Sequence, residues 1–162
     1  MKFRLDDTDR KILEFLQKDS GITNAQLAQQ IGLSPAPTLE RVKKLEQAGI
    51  ISGYHAAINP AAVGIGVSTF VNVSLKGHNK ENINRFINAI ADIPEIIECH
   101  HVTGQADFIL RIVCTDIPSY QSLMLDRVTN IDVVDNMQSM VILSTFKDSK
   151  VIPVKAEHGT AG

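Results

Sequence analysis

The stretch TNAQLAQQIGLSPAPTLERVKKLEQAG, Thr23 to Gly49, carries the local signals that decide how the first third of this chain folds. Thr23 and Gln26 stand three apart, the spacing of a capping box, and Ile22 and Leu27 take the positions of a hydrophobic staple, so a helix starts here and runs to about Ile31. Gly32-Leu33 makes a tight turn. Ser34 is then placed to cap a third helix, which tolerates Pro35 and Pro37 in its first turn, where N–H groups lack intrahelical partners, and ends at Gly49. Leu39, Val42 and Leu45 recur at helical spacing and are expected to face inward, leaving Ser34, Thr38, Arg41 and Lys44 on other faces. A short helix, a Gly-containing turn and a helix that presents hydroxyls and then cations is the helix-turn-helix arrangement.

Upstream, Asp6 can accept first-turn N–H groups and Asp9 adds charge at the positive end of the dipole, opening a helix whose stripe is Ile12, Leu13 and Leu16. The third helix suits a major groove. Thr38 and Arg41 are the candidates for base edges, and Ser34 and Lys44 for phosphates. On an isolated helix, Arg41, Lys43 and Lys44 would read as a solvated face; three capped helices in a row reverse that preference.

Downstream, a short strand is expected over Ile51 to Ile58, and Asn59-Pro60 followed by Val63-Gly64-Ile65-Gly66 marks a hinge. Residues 67–75 then alternate with period two, and Ile83, Phe86, Ile87, Ile90 and Ile93 form a helical stripe closed by Pro94, with Asn79 as a cap. Two strands, about Ile96 to Val102 and Phe108 to Cys114, flank the loop Thr103-Gly104-Gln105-Ala106-Asp107. A helix from near Asp116 and a strand from about Val134 to Lys147 complete the order β-α-β-β-α-β. The fold class is α+β: a winged-type helix-turn-helix domain (1–60), a hinge (61–66), a ferredoxin-like βαββαβ sandwich for ligand sensing and oligomerisation (67–150), and a mobile tail (151–162). Both helices cover one sheet face, and the other carries enough apolar residues to call for a second copy, so at least a homodimer is expected. Two-fold symmetry also suits a pair of recognition helices.

Composition narrows the function classes. The 162 residues are 44% apolar and include 16 basic and 18 acidic side chains, the profile of an ordinary globular chain. The longest clean apolar run, Met140 to Leu143, is far short of a membrane span, and the charged Met1-to-Asp7 segment lacks a signal peptide's apolar block, so a cytoplasmic location is expected. Cys99 and Cys114 are too few for a disulfide framework or a four-ligand zinc site and read as reduced thiols. The net charge of −2 disfavours DNA only as an average. Residues 1–60 hold eight basic and seven acidic groups, and residues 61–162 hold eight and eleven. A local excess of +1 gives little long-range attraction, so tight binding to duplex DNA requires several subunits.

These residues resemble the Lrp/AsnC family of leucine- and asparagine-responsive transcription regulators. The likeness spans about residues 5 to 148 and rests on Leu5 to Leu13, Gly32-Leu33-Ser34-Pro35, Arg41 to Ile51 and Val102 to Leu110. It implies an amino-terminal DNA-binding domain and a carboxy-terminal domain that senses small molecules, usually amino acids, in dimers that often assemble into octamers. It further implies an effector cleft between subunits, lined by the Gly-x-x-Asp loop at Gly104 and Asp107 and by a hydroxyl on the last strand, here Ser139. No cofactor or metal is implied. Ala106 stands where the family often has a bulky residue, and Glu40 puts a carboxylate on the recognition helix that would repel phosphate but can accept from cytosine N4.

Read for its chemistry alone, the loop offers a glycine that permits close backbone approach and a carboxylate that can hold an α-ammonium group. The same residues also read as a plain turn with a strand-capping carboxylate. Two other functions compete. One is a ligand-binding or interaction module without DNA. The other is a small enzyme using Cys99 with His100 or His101, which is weakened because neighbours on a strand point to opposite faces, leaving Cys99 and His101 without a third ligand. A DNA-binding regulator responsive to an amino acid or related effector is the expected function.

Overall fold

The computed structural model describes residues 3–154 and divides the chain into two compact units. One comprises the two chain ends, up to Ala57 and from Lys147 onward, and the other is Ile58–Phe146.

In the first unit, α1 (Asp7–Lys18) opens on a reciprocal cap: the Asp9 N–H donates to Asp6 Oδ1 at 2.8 Å and the Asp6 N–H to Asp9 Oδ2 at 3.2 Å. The same device starts α2 (Asn24–Ile31), where Thr23 and Gln26 exchange bonds of 3.0 and 3.2 Å. Gly32, at φ +74°, ends α2 as the Leu33 N–H reaches back to the Ala28 carbonyl at 3.0 Å. α3 (Pro35–Gln47) stops two residues short of Gly49, and although Ser34 stands at its N-cap, the Ser34 hydroxyl makes no capping bond. Ile12, Leu13, Leu27 and Leu45 form the core.

The inward face of α3 differs from the expected one. Leu39 is 44% exposed, whereas Thr38 is fully buried. At about 100° per residue, Thr38 returns to within roughly 20° of Leu45 on the helix, while Leu39 stands about 120° away. Thr38 meets the cost of burying a hydroxyl by donating to the Ser34 carbonyl at 2.9 Å. The strand expected over Ile51 to Ile58 does not form: residues 52–59 have no regular structure, and the described part of this unit offers no second strand to complete a ladder.

The second unit follows the order β1 (Val67–Leu75), α4 (Lys80–Ala91), β2 (Ile96–His101), β3 (Phe108–Cys114), α5 (Ile117–Leu123) and β4 (Val134–Val141), with a π-helical turn, Met124–Val128, extending α5. The strands run β2-β3-β1-β4, all neighbours antiparallel, which is the ferredoxin-like βαββαβ topology. Val71, Val73, Leu110 and Ile112 point into the core with Phe86, whose ring lies 4.8 Å from that of Phe108. On the other sheet face, Phe70 is exposed and Arg111 Nη1 pairs with Glu98 Oε1 at 2.9 Å. β4 ends at Val141 rather than Lys147, and Leu143 and Phe146 beyond it are almost fully exposed.

The segment expected as a hinge, residues 61–66, is bonded within this unit. Ala61–Val63 form a 3₁₀ turn, the Ile65 N–H donates to the Pro60 carbonyl at 2.9 Å, and the Gly66 N–H reaches the Cys114 carbonyl at 3.1 Å. A Cβ on Gly66 would lie 2.5 Å from the Thr115 carbonyl oxygen, so only glycine fits there. Of the expected tail, residues 151–154 are ordered parts of the first unit, and residues 155–162 lie outside the described residues. No helix among the described residues is long and apolar enough to cross a membrane.

Candidate nucleic-acid interface and effector loop

The helix-turn-helix is built from α2, the turn at Gly32 and α3, and it is fixed at two points. Asn24 at the start of α2 donates through Nδ2 to the Pro35 carbonyl at 2.8 Å, tying together the two helix starts. Arg41 Nη1 reaches Asp6 Oδ2 and Asp9 Oδ1, both at 2.7 Å, tying α3 to the amino end of α1. Asp9 is buried, and the paired arginine supplies the countercharge that a buried carboxylate needs. The Asp9 backbone N–H, and then Arg41, hold the Asp6 carboxyl below its usual range; the two carboxylates in turn push the Arg41 guanidinium up.

Both residues expected at base edges are therefore turned away from the outer face of α3. Thr38 lies inside the helical core with its hydroxyl engaged, and Arg41 faces α1, where Nη1 of its guanidinium pairs with both Asp6 and Asp9. Sequence spacing put both on the outer face because neither the hydroxyl's bond to Ser34 nor an arginine's partner 32 and 35 residues away leaves a periodic signal. Ser34 and Lys44 are exposed, Lys44 pairing with Glu40 at 2.8 Å. That contact holds the Glu40 carboxyl below its ordinary range. Opposite the core, Ala36, Glu40, Lys43 and Gln47 share the outer face of α3, and Lys43 makes no ion pair among the described residues. Lys43 was visible in the basic cluster but not singled out; its position half a turn from Leu45 is the signal that finds it.

In the second unit, Gly104 turns the β2–β3 loop at φ +128°, with open space where a Cβ would stand, so conformation rather than room requires glycine. Asp107 is heavily engaged. Its Oδ2 accepts the Leu75 N–H at 2.8 Å, its Oδ1 lies 2.7 Å from His78 Nδ1, its N–H donates to the Val73 carbonyl, and its own carbonyl accepts from Val102. The carboxylate that was a candidate for an α-ammonium thus fastens the loop to the end of β1 and to the β1–α4 connection. Nothing in the sequence links His78 to a loop 29 residues on.

Ser139 on β4 pairs in register with Val71 and bonds the hydroxyl of Tyr120 on α5, a second partner without a sequence signal. Asp107 contacts β1 at Val73 and Leu75, on the far side of that strand from β4. Two strand spacings across and a few residues along separate it from Ser139 by roughly 15 Å. One protomer does not bring Gly104, Asp107 and Ser139 into one small-molecule pocket.

Cys99 and His101 share the helix-facing side of β2, opposite Leu110 and Phe108, with the His101 ring 4.9 Å from that of Phe108. Cys99 is an exposed residue, and the partial desolvation it does meet pushes its thiol up, away from the thiolate that nucleophilic or metal chemistry needs.

Residues 5–52 match the winged helix-turn-helix DNA-binding profile, and residues 68–152, more than half of the chain, match that of the Lrp/AsnC ligand binding domain. The chain belongs to the Lrp/AsnC family. Residues 5–52 are its DNA-binding domain and residues 68–152 its ligand-binding domain, the last of these, 147–152, lying in the first unit, and the chain is a transcription regulator. Among Lrp/AsnC relatives, the leucine-responsive regulatory protein of Rhizobium meliloti is 37% identical over 92% of this chain and 96% of its own. The transcriptional regulator AzlB of Bacillus subtilis is 34% identical, covering 95% of this chain and 98% of its own. The crystal structure of the Neisseria meningitidis regulator NMB0573 in complex with L-Met superposes with a TM-score of 0.89 at 34% identity, covering 93% of this chain and 97% of that one.

Proposed function

We propose that this regulator binds operator DNA through the outer face of α3 and changes that binding when an amino acid occupies a cleft between subunits. The observation that carries the DNA half is the Arg41 clamp on Asp6 and Asp9, which fixes the roll of α3 and leaves Ala36, Glu40, Lys43 and Gln47 facing solvent on a preorganised surface. Lys43 and Gln47 are long enough to reach base edges or phosphates, while Ser34 and Lys44 hold phosphates at the flanks. Glu40 accepts from cytosine N4, since its carboxylate repels every phosphate.

The L-Met complex of the Neisseria regulator supports an amino acid as the effector. The Gly104 loop offers backbone N–H groups to the α-carboxylate, Asp107 keeps that loop in place, and Ser139 contributes from a neighbouring subunit. On this reading at least two subunits complete the cleft, because Asp107 and Ser139 of one subunit stand too far apart to touch the same small ligand, and the family resemblance extends the assembly to octamers. Effector binding then shifts the population between arrangements of the DNA-binding domains. The chain acts in the cytoplasm, without a cofactor and without catalysis.

The test is affinity for duplexes selected from a random library, measured across salt and with each amino acid added. A steep fall of affinity with salt and a shift with at least one amino acid are expected. Binding that is indifferent to salt, or a response to none of the amino acids, would refute the corresponding half.

A further inference from the structure

β2 is an outer strand of the sheet, and among the described residues no strand pairs with its free edge. The Val102 N–H donates to the Asp107 carbonyl and the Val113 N–H to the Glu95 carbonyl, both at 2.9 Å, which sets the phase of the β2–β3 ladder. Glu98, opposite Arg111, and His100, opposite Ile109, turn their backbone groups toward β3, so those of Cys99 and His101 turn outward. Natural edges are commonly blunted by proline, lysine or a bulge. Here the strand reads Ile-Ile-Glu-Cys-His-His, and its bulge lies at the start, between Ile96 and Glu98, leaving Glu98 to His101 regular. Beside this edge a groove of about 390 Å³ runs between β2 and α4. It is lined by Ile87 and Ile97, each close to half exposed, and by Ile90, Cys99, His101 and Phe108.

We propose that this edge pairs with the same edge of a second copy, β2 against β2 about a two-fold axis at Cys99, joining two four-stranded sheets into one of eight strands. Charge selects both the occupant and the register. Antiparallel pairing centred on Cys99 sets Glu98 directly opposite the partner's His100, twice, at the non-hydrogen-bonded positions where side chains are closest. Moving the axis to Glu98 opposes two carboxylates, and moving it to His100 opposes two imidazoles and leaves Glu98 without its pair. The acceptor is already placed, because Arg111 holds the Glu98 carboxylate at 2.9 Å, while His100 of the same chain is only loosely held, 3.4 Å away. In this register each Cys99 exchanges both backbone bonds with the partner's Cys99, and the two apolar grooves adjoin, taking Ile87 and Ile97 out of water. The contact uses the sheet's edge and leaves its open face free, so one chain can make two different two-fold contacts, which build assemblies larger than a dimer. It goes beyond the effector reading and holds whether or not an amino acid binds.

The experiment compares the full chain with full-length Cys99→Pro, His100→Glu and the exchange E98H/H100E. Mass in solution is measured by light scattering, and the full chain is treated with a short bis-maleimide. Cys114 is buried, so Cys99 is the thiol that the reagent reaches. Proline at 99 removes an outward N–H, a change that an edge strand tolerates and a pairing strand does not. The full chain should yield covalent dimers in a proportion that survives tenfold dilution. Cys99→Pro and His100→Glu should each lower the mass at least twofold, and the exchange, which again sets a carboxylate opposite an imidazole, should recover it. His100→Glu and the exchange decide the question if Cys99→Pro fails to fold. A mass that His100→Glu and a folded Cys99→Pro leave unchanged would overturn the proposal. So would a full chain that does not cross-link, or whose cross-linking falls tenfold with dilution as random collisions would; the edge would then be left to an extended segment of some other protein. An exchange that fails to recover the mass lost in His100→Glu would overturn the register centred on Cys99.

Discussion

Arg41→Ala separates two accounts of the third helix. A base-reading arginine would weaken operator binding by about 1 to 3 kcal/mol and leave the free protein as stable as before. The geometry here demands the opposite order of effects. Arg41 is about one-third exposed (34%), and its pair with the half-exposed Asp6 contributes about 0 to 1 kcal/mol. Its pair with Asp9 is worth more, because truncation strands a carboxylate that is 8% exposed; such losses reach about 3 to 5 kcal/mol when burial is complete. The exposed side of the guanidinium and the bond Asp9 keeps to the Asp6 N–H bring this down to about 2 kcal/mol. A total of about 2 to 3 kcal/mol corresponds to α3 amide exchange about 30- to 150-fold faster, which native-state exchange reads for this unit alone. Acid behaviour supplies a second check. Asp6 has its carboxyl lowered in the folded state, so its stabilisation is fully present above the ordinary value near 4 and is lost as pH falls through the folded value. Arg41→Ala should shrink that acid loss without abolishing it, since the Asp9 N–H remains. Unchanged exchange together with weakened duplex binding would return Arg41 to the reading surface and refute the clamp.

Three further outcomes are expected. Lys43→Ala should weaken binding to all duplexes about equally and flatten the salt dependence by about one unit of slope, measured by titration at several salt concentrations. Asp107→Ala leaves the Leu75 N–H without its acceptor, so the second unit should lose about 1 to 3 kcal/mol in denaturant unfolding and its thermal shift with the effector; His78→Ala should do less, since the Leu75 bond survives. Gly66→Ala sets a methyl 2.5 Å from the Thr115 carbonyl and should lower the melting temperature of the second unit, whereas Gly104→Ala should act through its positive φ alone.

Much of the fold was legible. The cap at Asp6, the capping box at Thr23, the cap at Asn79 and the order βαββαβ all depend on residues a few positions apart, and they stand where the sequence puts them. The failures share a cause. Leu39 looked like core because it is apolar, yet helix phase set by Leu45 turns it outward and admits Thr38 instead. Ile51 to Ile58 looked like a strand, but a strand needs a partner. At the sites, Lys43 could be found from phase, whereas Arg41 and Asp107 could not be read correctly without their partners.

The sequence by itself determined the helix starts, the order of the elements within the βαββαβ half and the family resemblance, because each is encoded in short-range spacing and residue type. Only tertiary structure decided what the charged groups do. Arg41 meets Asp6 and Asp9 across 35 and 32 residues, Asp107 meets Leu75 across 32, and Gln17 meets Ile152 across 135. A hydrogen bond needs its atoms about 3 Å apart whatever their distance along the chain, and only the folded backbone sets that distance.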